Sequence, residues 1–352
     1  MTFQSADLAT LGWTPYFNAQ TAFDELSALC PVRVMAVHRG QLAVLGDGVD
    51  ALIPSHMPEA QSEEDYPTVG DWLLIDRETL RPVRLLERTS LFKRRAPGTG
   101  RKLQLIAANV DTLFIVSSCN QDFNLARIER YLVLAKEAGV QPVIVLTKSD
   151  LAPAPEDFAA EARRLQPGLL VETVNALEPD SLGPVRAWCG KGQTVALMGS
   201  SGVGKSTLIN TLTGAAAATQ SIRADDAKGR HTTTGRALHR LHEGGWLIDT
   251  PGMRELQLTD ASAGIDDVFE DIAGLAHTCR FSDCAHESEP GCAVQAAIDA
   301  GTLDAQRLGR WRKLVAEEAF NSQTLAQRRA SDKAFGKMVR STVQHKRKGD
   351  WK

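Results

Sequence analysis

Two short polar motifs occur in this chain in an order that restricts the folds it can adopt. Residues 199–206 fit the phosphate-loop pattern G-x-x-x-x-G-K-[ST]. Residues 147–150 read T-K-S-D, which is typical of a loop that binds a guanine base, yet they come earlier in the chain. In ordinary guanine-nucleotide domains the phosphate loop comes first. The reversed order predicts a circularly permuted α/β domain, whose chain has been cut and rejoined at another point.

The phosphate loop lies in the context that its chemistry needs, between apolar residues 195–198 and a predicted helix that begins near residue 207. Its glycines let backbone N–H groups point at phosphate oxygens beside a helix N-terminus. We expect Lys205 to reach the β- and γ-phosphates and the Ser206 hydroxyl to bind Mg²⁺. The predicted phosphate contacts are Gly199, Ser200, Ser201, Gly202, Val203, Gly204, Lys205, Ser206 and Thr207.

The earlier motif predicts selectivity for guanine. A carboxylate at Asp150 can accept hydrogen bonds from N1 and N2 of guanine, whereas adenine would leave it unsatisfied, and such a mismatch discriminates steeply. The predicted base contacts are Thr147, Lys148, Ser149 and Asp150. Thr147 departs from the usual Asn, although a hydroxyl can still hold the loop. Asn175, where Ser is usual, belongs to a second candidate loop at the edge of the base.

Residues that sense the γ-phosphate are expected between the phosphate loop and residue 253. Asp249 ends an apolar segment and can hold Mg²⁺ through water, and Gly252 can offer its N–H to the γ-phosphate. The threonine-rich segment 228–234 is the candidate switch, and Thr232, Thr233 and Thr234 remain alternative Mg²⁺ ligands. Met253 occupies the place of a water-orienting Gln. His231 is therefore the candidate catalytic residue, with a structural histidine as the alternative.

Three cysteines and one histidine fall within 14 residues and form a candidate metal set. A Cys₃His set closes a tetrahedral zinc site and leaves no open position for a substrate. We therefore expect one structural Zn²⁺, with unligated buried thiols as the alternative. The predicted ligands are Cys279, Cys284, His286 and Cys292.

Hydrophobic periodicity divides the chain into several units. Short strands with Gly and Pro between them predict a small β-barrel, most simply an OB-fold, with a β-extension of the next domain as the alternative. Apolar strands that alternate with helical segments then predict a parallel sheet covered on both faces. The basic run 93–102 is interpreted as a linker. The predicted units are a leader over 1–30, an OB-fold over 31–92, a permuted P-loop domain over 104–262 and a helical zinc-binding domain over 263–352.

Composition excludes a membrane-spanning protein and does not mark the whole chain as nucleic-acid-binding. The 352 residues carry a net charge of −3, and no apolar run approaches the roughly 18 residues that a span requires. No secretory signal is apparent at the start, so we predict a cytoplasmic protein without a membrane partner. Residues 328–352 nevertheless hold nine basic and two acidic residues, a local charge of +7.

With these motifs in hand, the chain resembles the ribosome small subunit-dependent GTPase A family of circularly permuted bacterial GTPases. Residues 107–111, 147–150, 199–207, 229–234 and 249–252, together with the Cys₃His set, carry the resemblance over about residues 30–340. The resemblance implies an OB-fold, a permuted G domain and a zinc domain. It implies GTP hydrolysis that is stimulated by the 30S subunit late in its maturation, contact with 16S rRNA, a monomer, and a water-positioning role for His231.

The first hypothesis is therefore a GTP hydrolase that binds GTP and GDP with Mg²⁺ and releases an immature small subunit. An ATP-using kinase or transporter is disfavoured by residues 147–150. An RNA-binding assembly scaffold with a structural nucleotide remains the alternative. The barrel, the basic run and the basic tail are three elements that could contact RNA.

Overall fold

The computed structural model describes residues 7–58, 60–95, 103–214, 236–249, 256–259 and 261–322. Its strands are β1 Leu29–His38, β2 Gln41–Gly46, β3 Val49–Pro54, β4 Trp72–Asp76, β5 Pro82–Leu85, β6 Leu91–Arg95, β7 Leu103–Ala108, β8 Thr112–Ser118, β9 Gln141–Thr147, β10 Leu170–Thr173, β11 Thr194–Gly199, β12 Arg236–Arg240 and β13 Trp246–Asp249. Its α-helices are α1 Pro15–Asn18, α2 Glu25–Ala28, α3 Leu125–Ala138, α4 Pro155–Arg163, α5 Gly183–Arg186, α6 Lys205–Thr213, α7 Ser262–Val268, α8 Glu270–Ala276, α9 Ala293–Asp299 and α10 Ala305–Ser322.

The central part of the sheet is parallel, as the alternation of strands and helices predicts. Strands β10, β9, β8, β11 and β13 lie side by side in that order. All seven residues of β8 and all six of β11 are buried, because helices cover both faces of these strands. The permuted order of the chain therefore yields one continuous layer.

The N-terminal strands form an antiparallel arrangement in the order β3-β2-β1-β4-β5. They enclose an apolar cluster of their own that includes Val32, Leu42, Ile53 and Leu73. A register shift between Val34 and Ala36 bends β1. Beyond this bend β1 leaves β4 and pairs with β12, so the N-terminal strands and the parallel strands belong to one sheet.

The predicted linker over 93–102 is wrong at its N-terminal end, where residues 93–95 belong to a strand. Residues 91–95 form β6 and residues 103–108 form β7, and the two strands pair antiparallel. The basic side chains led to the interpretation as a linker. In β6 they directly follow apolar Leu91 and Phe92, and an exposed edge strand tolerates such basic side chains. Residues 96–102 lie outside the described residues.

The leader packs on the body of the protein. Leu11 and Phe17 are buried, and Trp13 meets Trp72 of β4 edge to face with ring centroids 4.9 Å apart. The indole Nε1 of Trp246 in β13 donates a 2.8 Å hydrogen bond to the carbonyl of Thr10. The leader therefore contacts both the N-terminal strands and the parallel sheet.

The C-terminal part is helical, as its sequence predicts. Helix α7 packs beside α3, α8 contacts α7 and α9, and α9 and α10 follow the Cys/His cluster. No helix in the described part of the chain has the length and apolar run that crossing a bilayer requires.

Candidate functional site

The predicted phosphate loop joins the carboxyl end of β11 to the start of α6. Gly202 and Gly204 adopt φ values of 82° and 90°, a left-handed conformation that favours glycine. Lys205 is buried, and its Nζ donates to the carbonyl of Ser200, so the ammonium folds back over the loop. Ser206 is exposed at the first turn of α6. The loop thus presents backbone N–H groups, an ammonium and a hydroxyl toward one space, which is a cradle for phosphate.

The T-K-S-D motif lies at the same edge of the sheet. Strand β9 ends at Thr147, and β8 separates it from β11. The fully buried Thr147 hydroxyl lies 2.6 Å from the carbonyl of Val203 in the phosphate loop and 3.1 Å from that of Ser117. A hydroxyl has a single proton, so it donates to one carbonyl at a time, and the shorter contact is to Val203. A Cβ at Gly204 would lie 3.2 Å from this hydroxyl, so the two motifs are in direct contact.

The remaining residues of the motif are available to a ligand. Lys148 has φ 58° and begins the short 3₁₀ turn Ser149–Leu151. Asp150 is exposed, and Lys148 and Ser149 are half-buried. A carboxylate that remains accessible beside a phosphate cradle can pair with the edge of a base.

The second candidate base loop lies against this turn. The backbone N–H of Ser149 contacts the carbonyl of Val174 at 3.4 Å, and the hydroxyl of Thr211 in α6 donates to the carbonyl of Ala176 at 2.8 Å. The side-chain oxygen of Asn175 accepts a 3.0 Å hydrogen bond from the N–H of Leu177. Asn175 therefore holds its own loop in shape.

The third motif reaches the same edge through β13. Strand β13 is parallel to β11 and ends at Asp249, whose backbone pairs with Ala237 of β12. The side chain of Asp249, the switch segment 228–234 with His231, Thr232, Thr233 and Thr234, and Gly252 and Met253 lie outside the described residues. The order of the strands therefore places the carboxyl ends of β9, β11 and β13, where the three motifs begin, at one edge of the sheet, although the motifs are far apart in sequence.

The four predicted metal ligands converge. Their ligand atoms lie within 4.8 Å of one another, and all three cysteines are free thiols. Nδ1 of His286 is 3.6 Å from the Sγ atoms of Cys279 and Cys292, which are 3.9 Å apart. A tetrahedral zinc with Zn–S of about 2.3 Å and Zn–N of about 2.0 Å requires edges of about 3.6–3.8 Å. The cluster therefore fits a zinc ion in donor type and in spacing.

Neighbouring groups prepare the loop for a metal. Burial, with a contribution from the Arg312 cation, lowers the pKa of His286 and favours the neutral imidazole that metals bind. Arg312 of α10 donates to the carbonyls of Ala285 and His286, and Gln295 also donates to the carbonyl of His286. Hydrogen bonds from backbone N–H groups lower the pKa of the Glu289 carboxyl to about 2. The N–H of Glu289 itself contributes most, followed by those of neighbouring residues. These outer contacts fix the ligand loop.

Some functional groups around these sites have no recognisable signal in the sequence. Arg33 in β1 is buried, and its guanidinium donates to Leu11, Gly70, Asn109 and Thr194. Burial lowers its pKa to about 10. A sequence pattern predicts that an arginine inside an alternating strand faces solvent. It therefore does not indicate that Arg33 joins the leader, the N-terminal strands and the central domain.

Comparisons with known proteins agree with this geometry. A family model described as RsgA GTPase matches residues 85–259. A protein of Vibrio parahaemolyticus named small ribosomal subunit biogenesis GTPase RsgA 2 is 50% identical over 98% of this chain and 95% of its own length. A protein of Mesorhizobium japonicum named small ribosomal subunit biogenesis GTPase RsgA is 52% identical over 92% of this chain and 93% of its own.

Solved structures share the fold at low sequence identity. The crystal structure of YjeQ from Thermotoga maritima matches with a TM-score of 0.57 at 23% identity, covering 82% of this chain and 98% of that one. The structure of YloQ, described as a circularly permuted GTPase, matches with a TM-score of 0.58 at 23% identity, covering 86% and 100%. The reversed motifs, the shared fold and the identity over nearly the whole chain lead to one conclusion: this chain belongs to the RsgA GTPase family and is a GTP-hydrolysing enzyme with a circularly permuted fold.

Proposed function

We propose that this enzyme acts in late maturation of the 30S small ribosomal subunit, in the cytoplasm and as a monomer. The GTP form binds the immature subunit through 16S rRNA, and hydrolysis to GDP and phosphate releases it. The observation that carries the proposal is the contact between Thr147 and the phosphate loop, because it joins a base-reading turn to a triphosphate cradle in a chain related to subunit biogenesis GTPases.

The nucleotide is held by the residues that the two motifs supply. Residues 199–207 bind the phosphates, Lys205 neutralises the β- and γ-oxygens, and Ser206 and Asp249 hold Mg²⁺, the metal that GTPases use with GTP. Gly252 binds the γ-phosphate, and residues 147–150 read guanine. The exposed carboxylate of Asp150 and the buried ammonium of Lys205 support this division of roles.

Replacing Asp150 with Asn tests the base assignment. The variant loses a charged acceptor for two guanine donors, so GTP affinity falls by about 10- to 100-fold. Competition of GTP and ATP for the bound nucleotide measures the change, with Asp157→Asn on the nearby helix α4 as the control. Unchanged GTP affinity would remove Asp150 from the site.

Catalysis requires a group that orients the attacking water, and we assign this role to His231. The assignment rests on sequence, because Met253 cannot accept a proton or a hydrogen bond from water. In His231→Ala, turnover falls while GTP affinity persists. Phosphate release in the presence of small subunits measures turnover, and an unchanged rate would exclude His231.

One Zn²⁺ held by Cys279, Cys284, His286 and Cys292 has a structural role. The convergence of the four ligand atoms within 4.8 Å of one another supports it. Cys284→Ser lowers bound zinc and loosens the chain after residue 275, because metal binding supplies folding free energy to such loops. Metal analysis and limited proteolysis are the measurements, with the buried thiol variant Cys189→Ser as the control. Full zinc retention in Cys284→Ser would contradict the assignment.

The N-terminal strands form an OB-type barrel that contacts RNA. Strand β1 pairs with both β2 and β4, and five antiparallel strands surround one apolar cluster, as in a partly open Greek-key barrel. The functional units are the leader 1–30, the barrel 31–92, the permuted G domain 104–262 and the zinc domain 263–352. The basic residues of the C-terminal tail would add contacts with phosphate.

A GTPase assay with and without purified small subunits tests the whole proposal. Subunits raise the rate of GTP hydrolysis, and ATP supports no stimulated turnover. A rate that subunits leave unchanged, together with tight subunit binding, would favour the alternative of an assembly scaffold in which nucleotide is structural.

A further inference from the structure

Helix α3 presents two adjacent charged residues to α10, and each has partners of opposite charge. The carboxylate of Glu129 is fully buried and accepts hydrogen bonds from Arg307 at 3.1 Å and Arg310 at 2.7 Å. Arg130 pairs with Glu317, with Nη2 at 2.6 Å from Oε1. The charges on the two helices are therefore complementary and fix the register in which α10 lies on α3.

Arg130 has a second partner that lies outside the helices. Its Nη2 also donates a 3.0 Å hydrogen bond to the carbonyl of Leu256, whose side chain is buried. Leu256 comes seven residues after Asp249 at the end of β13. One guanidinium thus joins the backbone downstream of the D-T-P-G motif to the C-terminal helix.

The contacts of Glu129 and the Arg130–Glu317 pair differ in how exposed they are to solvent, and therefore in how easily they can break. Glu129 is inaccessible, and removing either partner from a buried pair leaves an uncompensated charge, so this contact keeps α10 attached. The side chains of Arg130 and Glu317 remain 25% and 34% exposed. A partly exposed pair contributes little and can be broken or formed at small cost, so this contact can respond to a shift of Leu256.

From these contacts we infer that Arg130 is a positioning residue that couples the backbone leaving the D-T-P-G motif to helix α10. Exchange of GTP for GDP shifts Leu256, changes the Arg130–Glu317 pair and alters how firmly α10 is held. Residues 328–352, with a local charge of +7, follow α10 in the sequence. The inference rests on the proposed contact of Asp249 and Gly252 with the nucleotide.

The role requires an arginine. A guanidinium has five N–H donors in a rigid fork and can bind a carboxylate and a carbonyl together. A lysine keeps the charge but offers a flexible point donor, so it retains attraction to Glu317 without fixing Leu256 at the same time. Arg130→Lys therefore separates charge from coupling.

Hydrogen exchange of the full-length protein tests the coupling, because exchange reports local opening of backbone hydrogen bonds. The protein is compared with GDP and with a non-hydrolysable GTP analogue, and exchange of residues 305–322 is followed. A partly exposed ion pair predicts a difference of about two- to fivefold between the nucleotides in the unmodified protein. The difference disappears in Glu317→Gln and in Arg130→Lys.

The matched control is Glu318→Gln. It removes the same charge one residue along α10, where the Glu318 carboxylate accepts a 2.6 Å hydrogen bond from Ser322 of the same helix. This variant keeps the nucleotide-dependent difference. If Arg130→Lys does not fold, the comparison of Glu317→Gln with Glu318→Gln still decides the question.

The outcomes separate this inference from the proposed function. Equal exchange of α10 in the two nucleotides, with protection of residues 199–207 by both, would overturn the coupling and leave nucleotide binding intact. A difference that persists in Glu317→Gln would also overturn it. Failure of either guanine nucleotide to protect residues 199–207 would overturn the proposed site and, with it, the coupling.

Discussion

Thr147 shows how a departure from a familiar motif is accommodated at the scale of one residue. The shorter side chain reaches the carbonyl of Val203 because Gly204 has no Cβ to hold the two loops apart. The hydroxyl is buried, so its hydrogen bond has no competition from water. A contact between the two loops is therefore maintained by a threonine in the position where an asparagine is usual.

Replacing Thr147 with Val keeps the shape and removes the donor. The Val203 carbonyl then loses a buried partner, so we expect the free energy of unfolding to fall by about 1–3 kcal/mol and GTP affinity to weaken. Chemical denaturation and nucleotide titration measure the two effects. Thr147→Ser keeps the hydroxyl and serves as the control. Equal stability and affinity in the Val and Ser variants would show that the hydrogen bond is unimportant.

At the same scale, the sequence identifies residues with strong motifs better than residues with structural roles. The Cys₃His ligand atoms meet as their spacing predicts. Arg33 and Glu129 have no comparable signal, because a charged residue in a strand or helix is ordinarily solvent-exposed. Only the tertiary fold shows that both are buried and what they bind.

Among the elements, helix α10 depends on charge as much as on apolar packing. Leu308 and Leu314 are buried, but Arg307 and Arg310 share the buried carboxylate of Glu129. Arg307 also stacks on the ring of Phe269 at 4.8 Å. Attachment of the C-terminal helices to the permuted domain thus depends on a small buried network.

Replacing Glu129 with Gln removes the charge at the centre of this network. Arg307 keeps its ion pair with Asp271, and Arg310 keeps a 3.8 Å contact with Asp304. The buried charge that both arginines share is lost, so we expect the free energy of unfolding to fall by about 1–3 kcal/mol. Denaturant unfolding measures the loss. Lys136→Gln, an exposed change on the same helix, should stay within about 0.5 kcal/mol of the unmodified protein. A comparable small effect of Glu129→Gln would contradict the role given to the network.

Elements with clear periodicity could be predicted from the sequence, and short strands without it could not. The helical spacing of apolar residues over 125–138 predicts α3 with its observed bounds, and the apolar run 143–146 predicts β9, which extends over Gln141–Thr147. The sequence does not indicate β6, because its residues Lys93, Arg94 and Arg95 resemble a linker, or β7, because it directly follows that basic run. Strand β12 was missed because its five residues mix charged and apolar side chains next to the switch segment.

For the whole molecule, motif order was sufficient to predict permutation of the central domain. Parallel strands place their carboxyl ends at one edge regardless of where the chain begins, so a permuted chain can still assemble one site. The sharing of a sheet between the N-terminal strands and the central domain agrees with the β-extension that the sequence leaves as an alternative, although the strand pair that makes it has no signal in the sequence. It depends on a pairing between β1 and β12, which are about 200 residues apart in the sequence.

Charge at the scale of the whole molecule predicts a salt dependence. Residues 328–352 hold nine basic and two acidic residues, and each phosphate that they neutralise contributes about −0.7 to the slope of log affinity against log salt. Truncation after residue 327 should make the slope for small-subunit binding less negative by up to about five units. Binding measured over a range of salt concentrations tests this, and the same slope in both proteins would exclude the tail as an RNA contact.

The pairing of β1 with β12 also constrains motion within the molecule. Strand β1 pairs with β4 before its bend and with β12 after it. Gly70, beside that bend, lies so close to Ala108 that a Cβ would come within 2.1 Å of its carbonyl oxygen. A hinge at this place would have to separate backbone ladders and open a tightly packed seam. The N-terminal strands and the nucleotide-binding strands therefore rotate as one unit. A torque on the N-terminal strands is transmitted to β12, which begins just after the switch segment 228–234.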